Sequence, residues 1–211
     1  MQFTSLNLSS PLLQALESAG YHTPTPIQQQ AIPSILQHHD VLACAQTGTG
    51  KTAAFSLPII EQLLTVKADT GFQGPKALIL APTRELAIQI GENIAVYVSR
   101  TRIRHAVIFG GVSAVSQIAV LRKRPDILVA TPGRLLDLLN QKVLSLQQVR
   151  FLVLDEADRM LDMGFIKDIR TIIGKIPENR QTMLFSATMP SEIENLARAI
   201  LRNPERIAVT P

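Results

Sequence analysis

Residues 41–52 read Val41-Leu42-Ala43-Cys44-Ala45-Gln46-Thr47-Gly48-Thr49-Gly50-Lys51-Thr52. The stretch opens with an unbroken run of small and apolar residues, Val41–Ala45, which is typical of a strand buried on both faces of a sheet. Gly48 and Gly50 follow, and glycine allows the backbone N–H groups of a turn to point toward a bound phosphate. Lys51 and Thr52 then begin a segment of helical length. A strand, a glycine-rich turn and a helix in this order predict a phosphate-binding loop.

The same alternation of short apolar runs and helix-length segments continues along the chain. The further runs are 77–81, 106–109, 127–130, 151–154, 182–185 and 207–209. A hydroxyl residue before a proline marks three helix starts, Ser10-Pro11, Thr25-Pro26 and Thr131-Pro132. Gly20 should end the first helix, and residues 67–76 predict a surface loop. We therefore expect an α/β fold with a mostly parallel sheet and helices on both of its faces.

The composition bounds the class of protein. The chain has 211 residues, of which 46% are hydrophobic and 18% charged, so it can bury a core and shows no signature of disorder. This length favours one domain over residues 1–211. Lys and Arg number 21 against 17 Asp and Glu, and the net charge of +4 permits a polyanionic partner without requiring one.

Cysteine usage and the amino terminus bear on the compartment. Cys44 is the single cysteine, so no intramolecular disulfide can form, and we expect it to pack in a strand. Residues 1–10 lack the features of a signal peptide, and the uncharged run 106–121 is too short and too polar to span a membrane. His38-His39 lacks the spacing of a metal site. These features predict a cytoplasmic protein without a membrane segment.

Lys51 and Thr52 carry the chemistry expected of a phosphate-binding loop. Lys51 would reach the β- and γ-phosphates of a nucleotide, and the Thr52 hydroxyl would ligate Mg²⁺. The general pattern has glycine where this chain has Ala45, so the match is incomplete at that end. The alternative is a glycine-rich turn whose lysine faces water.

An acidic sequence follows the apolar run 151–154. Asp155 would hold a nucleotide-bound Mg²⁺ through water, and Glu156 would orient or deprotonate the attacking water. Alone, these residues fit an acidic loop after a strand equally well. Together with the phosphate-binding loop, they predict a site that hydrolyses nucleoside triphosphates.

Two weaker patterns involve hydroxyl and amide side chains. Ser186 and Thr188 could hydrogen-bond to Asp158 across the sheet edge, although Ser and Thr are common in loops. Thr25 and Gln28 have the spacing of a capping box, which would account for Gln28 without a further role. A glutamine amide also suits the N6 and N7 atoms of adenine, so both interpretations of Gln28 stay open.

Three further segments place small, hydroxyl and basic residues after predicted strands. They are Pro82-Thr83-Arg84, Gly110-Gly111 and Thr131-Pro132-Gly133-Arg134. Arg84 and Arg134 fall in the first turns of their helices, where a cation opposes the helix dipole unless a phosphate is bound there. The segments could follow a nucleic-acid backbone without reading bases. The alternative is that each arginine pairs with a nearby carboxylate.

In combination, these motifs resemble the amino-terminal RecA-like domain of the DEAD-box RNA helicases. The resemblance runs from Phe3 to the end of the chain, on segments that follow the family's order: 20–28, 45–52, 82–87, 110–111, 131–134, 155–158 and 186–188. Alanine at the first loop position is usual in that family, which removes the question over Ala45. The sequence around the loop is similar to that of bacterial RhlE-type members. The implied fold is a RecA-like three-layer α/β sandwich.

The resemblance implies ATP and Mg²⁺ as cofactors. Residues 1–38 would recognise adenine, with Gln28 reading the base, Tyr21 packing on it and Phe3 supporting the pocket. The phosphates would lie on Gln46, Thr47, Gly48, Thr49, Gly50, Lys51 and Thr52. Lys51, Asp155 and Glu156 would be catalytic, and Thr52 and Asp155 would hold the metal, partly through water.

The resemblance also implies single-stranded RNA as a partner, bound through its backbone. Its path would follow Pro82, Thr83, Arg84, Gly110, Gly111, Thr131, Pro132, Gly133 and Arg134. Asp158, Ser186 and Thr188 would couple ATP hydrolysis to strand separation.

A second RecA-like domain is the remaining implied partner. In the family that domain supplies transition-state arginines from an arginine-rich motif, which has no counterpart within residues 1–211. We therefore expect this chain, a monomer, to bind ATP or ADP but to turn over ATP poorly and not to unwind RNA. Two rival hypotheses are a self-sufficient phosphate-loop ATPase or small-molecule kinase, and a non-catalytic RNA-binding module with a decayed nucleotide site.

Overall fold

A computed structural model of the protein describes residues 1–66 and 74–210. A single 3₁₀ turn at Phe3–Ser5 precedes the regular elements. The strands are β1 (Val41–Cys44), β2 (Ala77–Leu80), β3 (His105–Ile108), β4 (Ile127–Ala130), β5 (Phe151–Leu154), β6 (Gln181–Ser186) and β7 (Glu205–Ala208). The helices are α1 (Ser10–Ser18), α2 (Pro26–Leu36), α3 (Lys51–Thr65), α4 (Arg84–Tyr97), α5 (Val115–Leu121), α6 (Pro132–Asn140), α7 (Ala157–Asp162), α8 (Ile166–Ile173) and α9 (Ser191–Ile200).

The described strands form one sheet in the order β3-β4-β2-β5-β6-β1-β7, and every neighbouring pair is parallel. After β1 the chain passes over β6 and β5 before it enters the sheet again as β2. The segments that follow β1, β6 and β5 therefore leave the sheet side by side. Because parallel strands all end at the same edge, the polar segments after them share that edge.

The core has two layers, one on each face of the sheet. Helices α1–α4 contribute Leu12, Ile27, Phe55 and Ile90 to one layer, and α5–α9 contribute Leu121, Leu135, Met160, Ile169 and Ile193 to the other. Neighbouring strand residues divide between them, since Ala43 packs in the first layer and Leu42 in the second. Burial on both faces explains why the strand sequences are continuously apolar rather than alternating. The predicted three-layer arrangement is confirmed.

The seven predicted strands are all present, with ends that differ from the sequence expectation by two residues at most. The sheet is parallel throughout, where the sequence predicts a mostly parallel one.

Most of the predicted loop, residues 67–73, lies outside the described residues, and 74–76 lead into β2. Cys44 packs at the end of β1 as expected, half-buried. Within the ranges 1–66 and 74–210, none of the helices has both the length and the apolar character needed to cross a membrane.

Two of the three predicted helix starts are confirmed, since α2 begins at Pro26 and α6 at Pro132. The expected capping role of Ser10 is wrong, because Ser10 is already helical and Ser9 is the N-cap residue. The Glu61 carboxylate in α3 accepts hydrogen bonds from the Ser9 N–H and hydroxyl, at 3.0 and 2.7 Å. This contact with α3, which the local sequence does not show, holds Ser9 outside the helix.

The end of α1 follows the prediction at Gly20. Its φ is +81°, in the left-handed region that glycine adopts readily. The Gly20 N–H donates to the Glu17 carbonyl, and the Tyr21 N–H donates to the Leu16 carbonyl at 2.9 Å. This pair of hydrogen bonds closes α1 and turns the chain so that Tyr21 faces the site described next.

Candidate functional site

The glycine-rich loop, residues 46–50, connects β1 to α3. Gly48 and Gly50 have φ values of +85° and +88°. A Cβ added to Gly50 would lie 2.5 Å from Gln28 Nε2, whereas the space beside Gly48 is open. The Thr49 hydroxyl donates to the Gln46 carbonyl at 2.7 Å and closes the turn. The loop therefore leads directly to the amino terminus of α3, where backbone N–H groups favour an anion.

Lys51, the first residue of α3, forms an ion pair with Asp155, which follows β5. Lys51 Nζ lies 3.1 Å from Asp155 Oδ1, and the two side chains are only 8% and 1% exposed. Among the described residues, no hydrogen bond of good geometry reaches the buried Asp155 Oδ1 atom, although Lys51 Nζ lies close to it. Burial raises the pKa of the Asp155 carboxyl above its ordinary value, although the Lys51 ammonium acts in the opposite direction.

Glu156 turns the chain from β5 into α7 in a left-handed conformation, with φ of +53°. A residue other than glycine with this φ is uncommon and is found where surrounding structure holds it. Its Oε1 accepts a hydrogen bond from the Thr47 hydroxyl of the glycine-rich loop at 3.2 Å. Its Oε2 lies 3.6 Å from Arg159 Nη1. The acidic segment after β5 and the loop after β1 are thus in direct contact.

A cavity of about 190 Å³ opens beside these groups. Its lining includes the predicted residues Phe3, Tyr21, Gln28, Thr47, Gly48, Gly50, Lys51, Thr52, Asp155 and Glu156. The structure therefore brings the amino-terminal segment, the glycine-rich loop and the acidic segment to one place. Gln46 and Thr49 belong to the same loop but do not line the cavity.

Gln28 serves as a helix cap in this structure. Its Oε1 accepts from the Thr25 N–H at 3.0 Å, which is one half of the predicted capping box. Its Nε2 donates to the Gly50 carbonyl at 3.1 Å, so one carboxamide joins the start of α2 to the glycine-rich loop. The capping interpretation is confirmed, and adenine recognition by Gln28 stays a prediction. The loop contact places the amide beside the cavity, where it would need to exchange partners to read a base.

Three polar residues of α4 that line the cavity lie outside the sequence motifs. Gln89, Asn93 and Tyr97 are spaced four residues apart, which puts them on one face of the helix. Burial raises the pKa of the Tyr97 hydroxyl to about 12, and the nearby Tyr21 contributes to the rise. This hydroxyl therefore stays protonated as a hydrogen-bond donor at neutral pH. The four-residue spacing was visible in the sequence, but nothing local showed which face of α4 meets the cavity.

Asp158, Ser186 and Thr188 form a hydrogen-bonded group beside the acidic segment. Asp158 Oδ2 accepts from the Thr188 N–H and hydroxyl at 3.0 and 2.9 Å. Ser186 Oγ accepts from the Asp158 N–H at 3.1 Å and donates to the Thr188 carbonyl at 2.7 Å. Partial burial would raise the pKa of Asp158, but the hydrogen bonds from Thr188 outweigh it and hold the pKa below its ordinary value. The contact predicted between these three residues is confirmed.

The remaining predicted residues lie together on the neighbouring part of the same sheet edge. We call them the arginine edge: Pro82, Thr83 and Arg84 after β2, Gly110 and Gly111 after β3, and Thr131, Pro132, Gly133 and Arg134 after β4. The three strands are adjacent in the order β3-β4-β2, so the segments are neighbours in space. The carboxyl edge of the sheet thus carries the cavity at the ends of β1 and β5, Ser186 and Thr188 at the end of β6 between them, and the arginine edge at the ends of β2, β4 and β3.

The two arginines of this edge have different surroundings. Arg84 is exposed, and its guanidinium lies 5.0 Å from the centre of the Phe109 ring. Arg134 is 12% exposed and donates to the Val112 carbonyl at 2.8 Å and to Gln117 Oε1 at 3.0 Å. Its nearest carboxylate contact in the described part of the chain is Asp137, 4.0 Å away. Arg134 is therefore not held mainly by a carboxylate, as the alternative interpretation would have it.

Three comparisons with known proteins show what this chain is similar to. The family model for DEAD/DEAH box helicases matches residues 25–196. The DEAD-box ATP-dependent RNA helicase CshA of Bacillus cereus is 49% identical over 207 residues, covering 98% of this chain and 38% of that protein. CshA of Streptococcus pneumoniae is 47% identical over 209 residues, covering 99% and 39%. This chain thus spans well under half the length of these curated relatives.

A solved structure shows the same similarity in three dimensions. The crystal structure of a DEAD box protein from the hyperthermophile Methanococcus jannaschii superposes with a TM-score of 0.92. That protein is 42% identical in sequence, and the match covers 100% of this chain and 56% of the other.

Proposed function

Since this chain belongs to the DEAD/DEAH box helicase family, we propose that it is the ATP-binding part of an ATP-dependent RNA helicase. The observation that carries the proposal is the buried ion pair between Lys51 and Asp155, at the point where the glycine-rich loop meets the acidic segment. A lysine and a carboxylate buried together beside a cavity are the groups that would receive a nucleotide phosphate and its metal.

The residues around this ion pair fit Mg²⁺. The Thr52 hydroxyl and the Asp155 carboxylate are the oxygen donors that this cation prefers, and Asp155 Oδ1 is buried without an aligned hydrogen bond. Asp155 would hold the ion partly through water. When bound, Mg²⁺ would neutralise charge on the phosphate oxygens.

Lys51 and Glu156 would change partners when nucleotide binds. The Lys51 ammonium would move from Asp155 to the β- and γ-phosphates, which carry more charge than one carboxylate. Glu156, released from the Thr47 hydroxyl, would accept a hydrogen bond from the attacking water and orient it. The loop residues Gln46, Thr47, Gly48, Thr49 and Gly50 would surround the phosphates.

The amino-terminal segment, residues 1–38, would recognise the base. Tyr21 is 51% exposed beside the cavity, which leaves its ring free to pack on adenine, and Phe3 is buried behind it. The Gln28 amide would exchange the Gly50 carbonyl for the adenine N6 and N7 atoms. Such a change would link the presence of the base to the shape of the loop.

The arginine edge would bind the backbone of single-stranded RNA. Arg84 and the exposed backbone at Gly110, Gly111 and Gly133 offer positive charge and N–H donors.

Asp158, Ser186 and Thr188 would couple hydrolysis to strand separation, acting on a second RecA-like domain outside residues 1–211. That domain would supply the transition-state arginines, so this chain, a cytoplasmic monomer, would turn over ATP slowly by itself. Similarity to the RhlE-type subgroup stays a prediction.

Calorimetric titration with Mg-ADP and Mg-GDP tests the nucleotide site and the base reader together. We expect the wild-type chain to prefer ADP, and the preference to disappear in Gln28→Ala while ADP still binds. Equal binding of both nucleotides by the wild type would return Gln28 to a purely capping role. No nucleotide binding would favour the non-catalytic module, and steady ATP turnover by this chain alone would favour a self-sufficient ATPase.

A further inference from the structure

Gln117, a residue outside the predicted motifs, connects segments of the arginine edge. It lies in α5 and is only 6% exposed. Its Oε1 accepts from the Phe109 N–H at 3.3 Å and from Arg134 Nη1 at 3.0 Å, and its Nε2 donates to the Phe109 carbonyl at 3.0 Å. One carboxamide thus joins the end of β3 to the first turn of α6.

The partners of Gln117 are themselves parts of the arginine edge or touch it. Phe109 immediately precedes Gly110, and its ring lies beneath the Arg84 guanidinium. Arg134 also donates to the Val112 carbonyl, just beyond Gly111. Gln117 therefore contacts the segments after β3 and β4 directly and the segment after β2 through Phe109.

We propose that Gln117 is a positioning residue for nucleic-acid binding, an inference that rests on the RNA-binding role proposed above. It fixes the Arg134 guanidinium and the backbone at 109–112 before a ligand arrives. A long arginine side chain held in one orientation loses less conformational freedom on binding a phosphate. Gln117 does not itself touch the RNA.

A purely structural role is the alternative, because a buried strand end also needs its N–H and carbonyl satisfied. The two roles differ in which property is lost when the hydrogen bonds of Gln117 are removed. A structural role predicts a loss of stability alone, whereas a positioning role predicts a loss of RNA affinity that depends on Arg134.

Three variants separate these roles. Gln117→Met keeps the length of the side chain and removes its hydrogen bonds. Gln117→Glu keeps oxygen acceptors for the Phe109 N–H and Arg134 but loses the donor to the Phe109 carbonyl. Gln62→Met is the matched control, because Gln62 is a buried glutamine of α3, on the other face of the sheet, that donates to the Ile35 and Pro58 carbonyls.

The experiment measures binding of a fluorescein-labelled single-stranded oligouridylate by anisotropy at low salt, with ADP affinity and melting temperature measured alongside. We expect Gln117→Met to weaken RNA binding about tenfold, which is the upper range of the cost of ordering one long side chain on binding. ADP affinity should not change, and Gln117→Glu should retain most of the RNA affinity. Gln62→Met should lower the melting temperature without changing RNA affinity. In an Arg134→Ala background, Gln117→Met should lose most of its effect on RNA binding.

Hydrogen exchange gives a readout that does not need RNA. The Phe109 amide should exchange faster in Gln117→Met than in the wild type, because it loses its acceptor. If that amide is freed and RNA affinity stays at the wild-type value, Gln117 is structural only and the proposed function stands. If the wild-type chain binds no oligouridylate, the RNA-binding role is overturned, and this inference with it.

Discussion

Lys51 forms the buried ion pair that a nucleotide would have to open. In Lys51→Met, the chain should lose measurable ADP affinity because the cation for the phosphates is gone. Asp155 would remain buried without a counter-charge, which costs about 3–5 kcal/mol of stability in pairs of this kind. Calorimetry with Mg-ADP and chemical denaturation measure both effects, and the exposed Lys175→Met variant serves as the control. ADP binding at the wild-type strength would contradict the proposed site.

The stability of Lys51→Met should also depend on pH. The titration of Asp155 determines whether stability rises or falls with pH. Burial raises the pKa of Asp155, and Lys51 opposes that rise, so removing Lys51 raises the pKa further. A carboxyl whose pKa is higher in the folded state stabilises the fold at low pH and loses that contribution as pH rises. Stability should therefore fall as the pH rises above the range in which an ordinary aspartate titrates. In Lys51→Met/Asp155→Asn this fall should disappear without restoring ADP binding.

Glu156 is a separate test at the scale of single residues, since it contacts the loop without pairing with Lys51. In the longer polypeptide that contains both RecA-like domains, Glu156→Gln should bind ATP normally and lose most ATP turnover. The amide keeps the size and the hydrogen bond with Thr47 but cannot act as a base. Steady-state ATPase assays beside ATP binding measure this. Normal turnover would remove Glu156 from the proposed mechanism.

At the scale of elements, Gly50 is where α2 contacts the glycine-rich loop, because the Gln28 amide donates to its carbonyl. Alanine at Gly48 or Gly50 adopts the left-handed region at a cost of roughly 1–2 kcal/mol. Only at Gly50 would the new Cβ also press on Gln28 Nε2. We expect Gly50→Ala to destabilise the chain more than Gly48→Ala, and Gln28→Ala to relieve part of the excess, because Thr25 Oγ1 would also lie 2.9 Å from the added Cβ. Equal melting temperatures for the two glycine variants would show that Gln28 moves aside freely.

The elements themselves follow from the sequence because their signals are local. A strand such as β4 is continuously apolar and is ended by Thr131-Pro132, so both its type and its end can be read from neighbouring residues. The prediction that Ser10 caps α1 was wrong for a reason that is not local. Ser9 rather than Ser10 caps that helix because Glu61 accepts its hydrogen bonds, and Glu61 is 52 residues away. No local pattern contains that information.

The candidate site divides in the same way between local and distant information. Asp155 and Thr188 follow strands closely and Lys51 ends the loop after β1, and the parallel sheet brings such segments to one edge, so their proximity is predictable. Gln117 and the α4 face at Asn93 lie within helices, and their roles depend on how each helix is rotated against the sheet. Packing sets that rotation, so no local sequence pattern indicates the roles of these residues.

At the scale of the whole molecule, the cavity and the arginine edge occupy adjacent halves of one sheet edge. The cavity lies where the segments after β1 and β5 meet, and the arginine edge lies at the ends of β2, β4 and β3, with β5 and β2 as the junction. Nucleotide and RNA would therefore bind side by side on one rigid frame. A second domain placed over this edge could contact both ligands at once, which is the arrangement that coupling hydrolysis to strand separation needs.

Arg84 gives the sharpest test of whether that edge binds a nucleic-acid backbone. It is exposed and lies against the Phe109 ring, so replacing it should disturb the fold little. For single-stranded RNA, each phosphate contact contributes about 0.7 to the slope of log affinity against log salt concentration. Arg84→Ala should therefore weaken binding at low salt and reduce the slope by about 0.7. The measurement is anisotropy titration of labelled oligouridylate and oligoadenylate over a series of salt concentrations.

The control for this prediction is Arg84→Lys, which keeps the charge and should keep the slope. A phosphate contact carries no base information, so Arg84→Ala should weaken binding to both oligonucleotides equally. A loss confined to one of them would mean that Arg84 contacts a base, and the arginine edge would then read sequence rather than backbone. An unchanged slope would place the RNA elsewhere on the molecule, since an exposed cation on its path must contribute to the salt dependence.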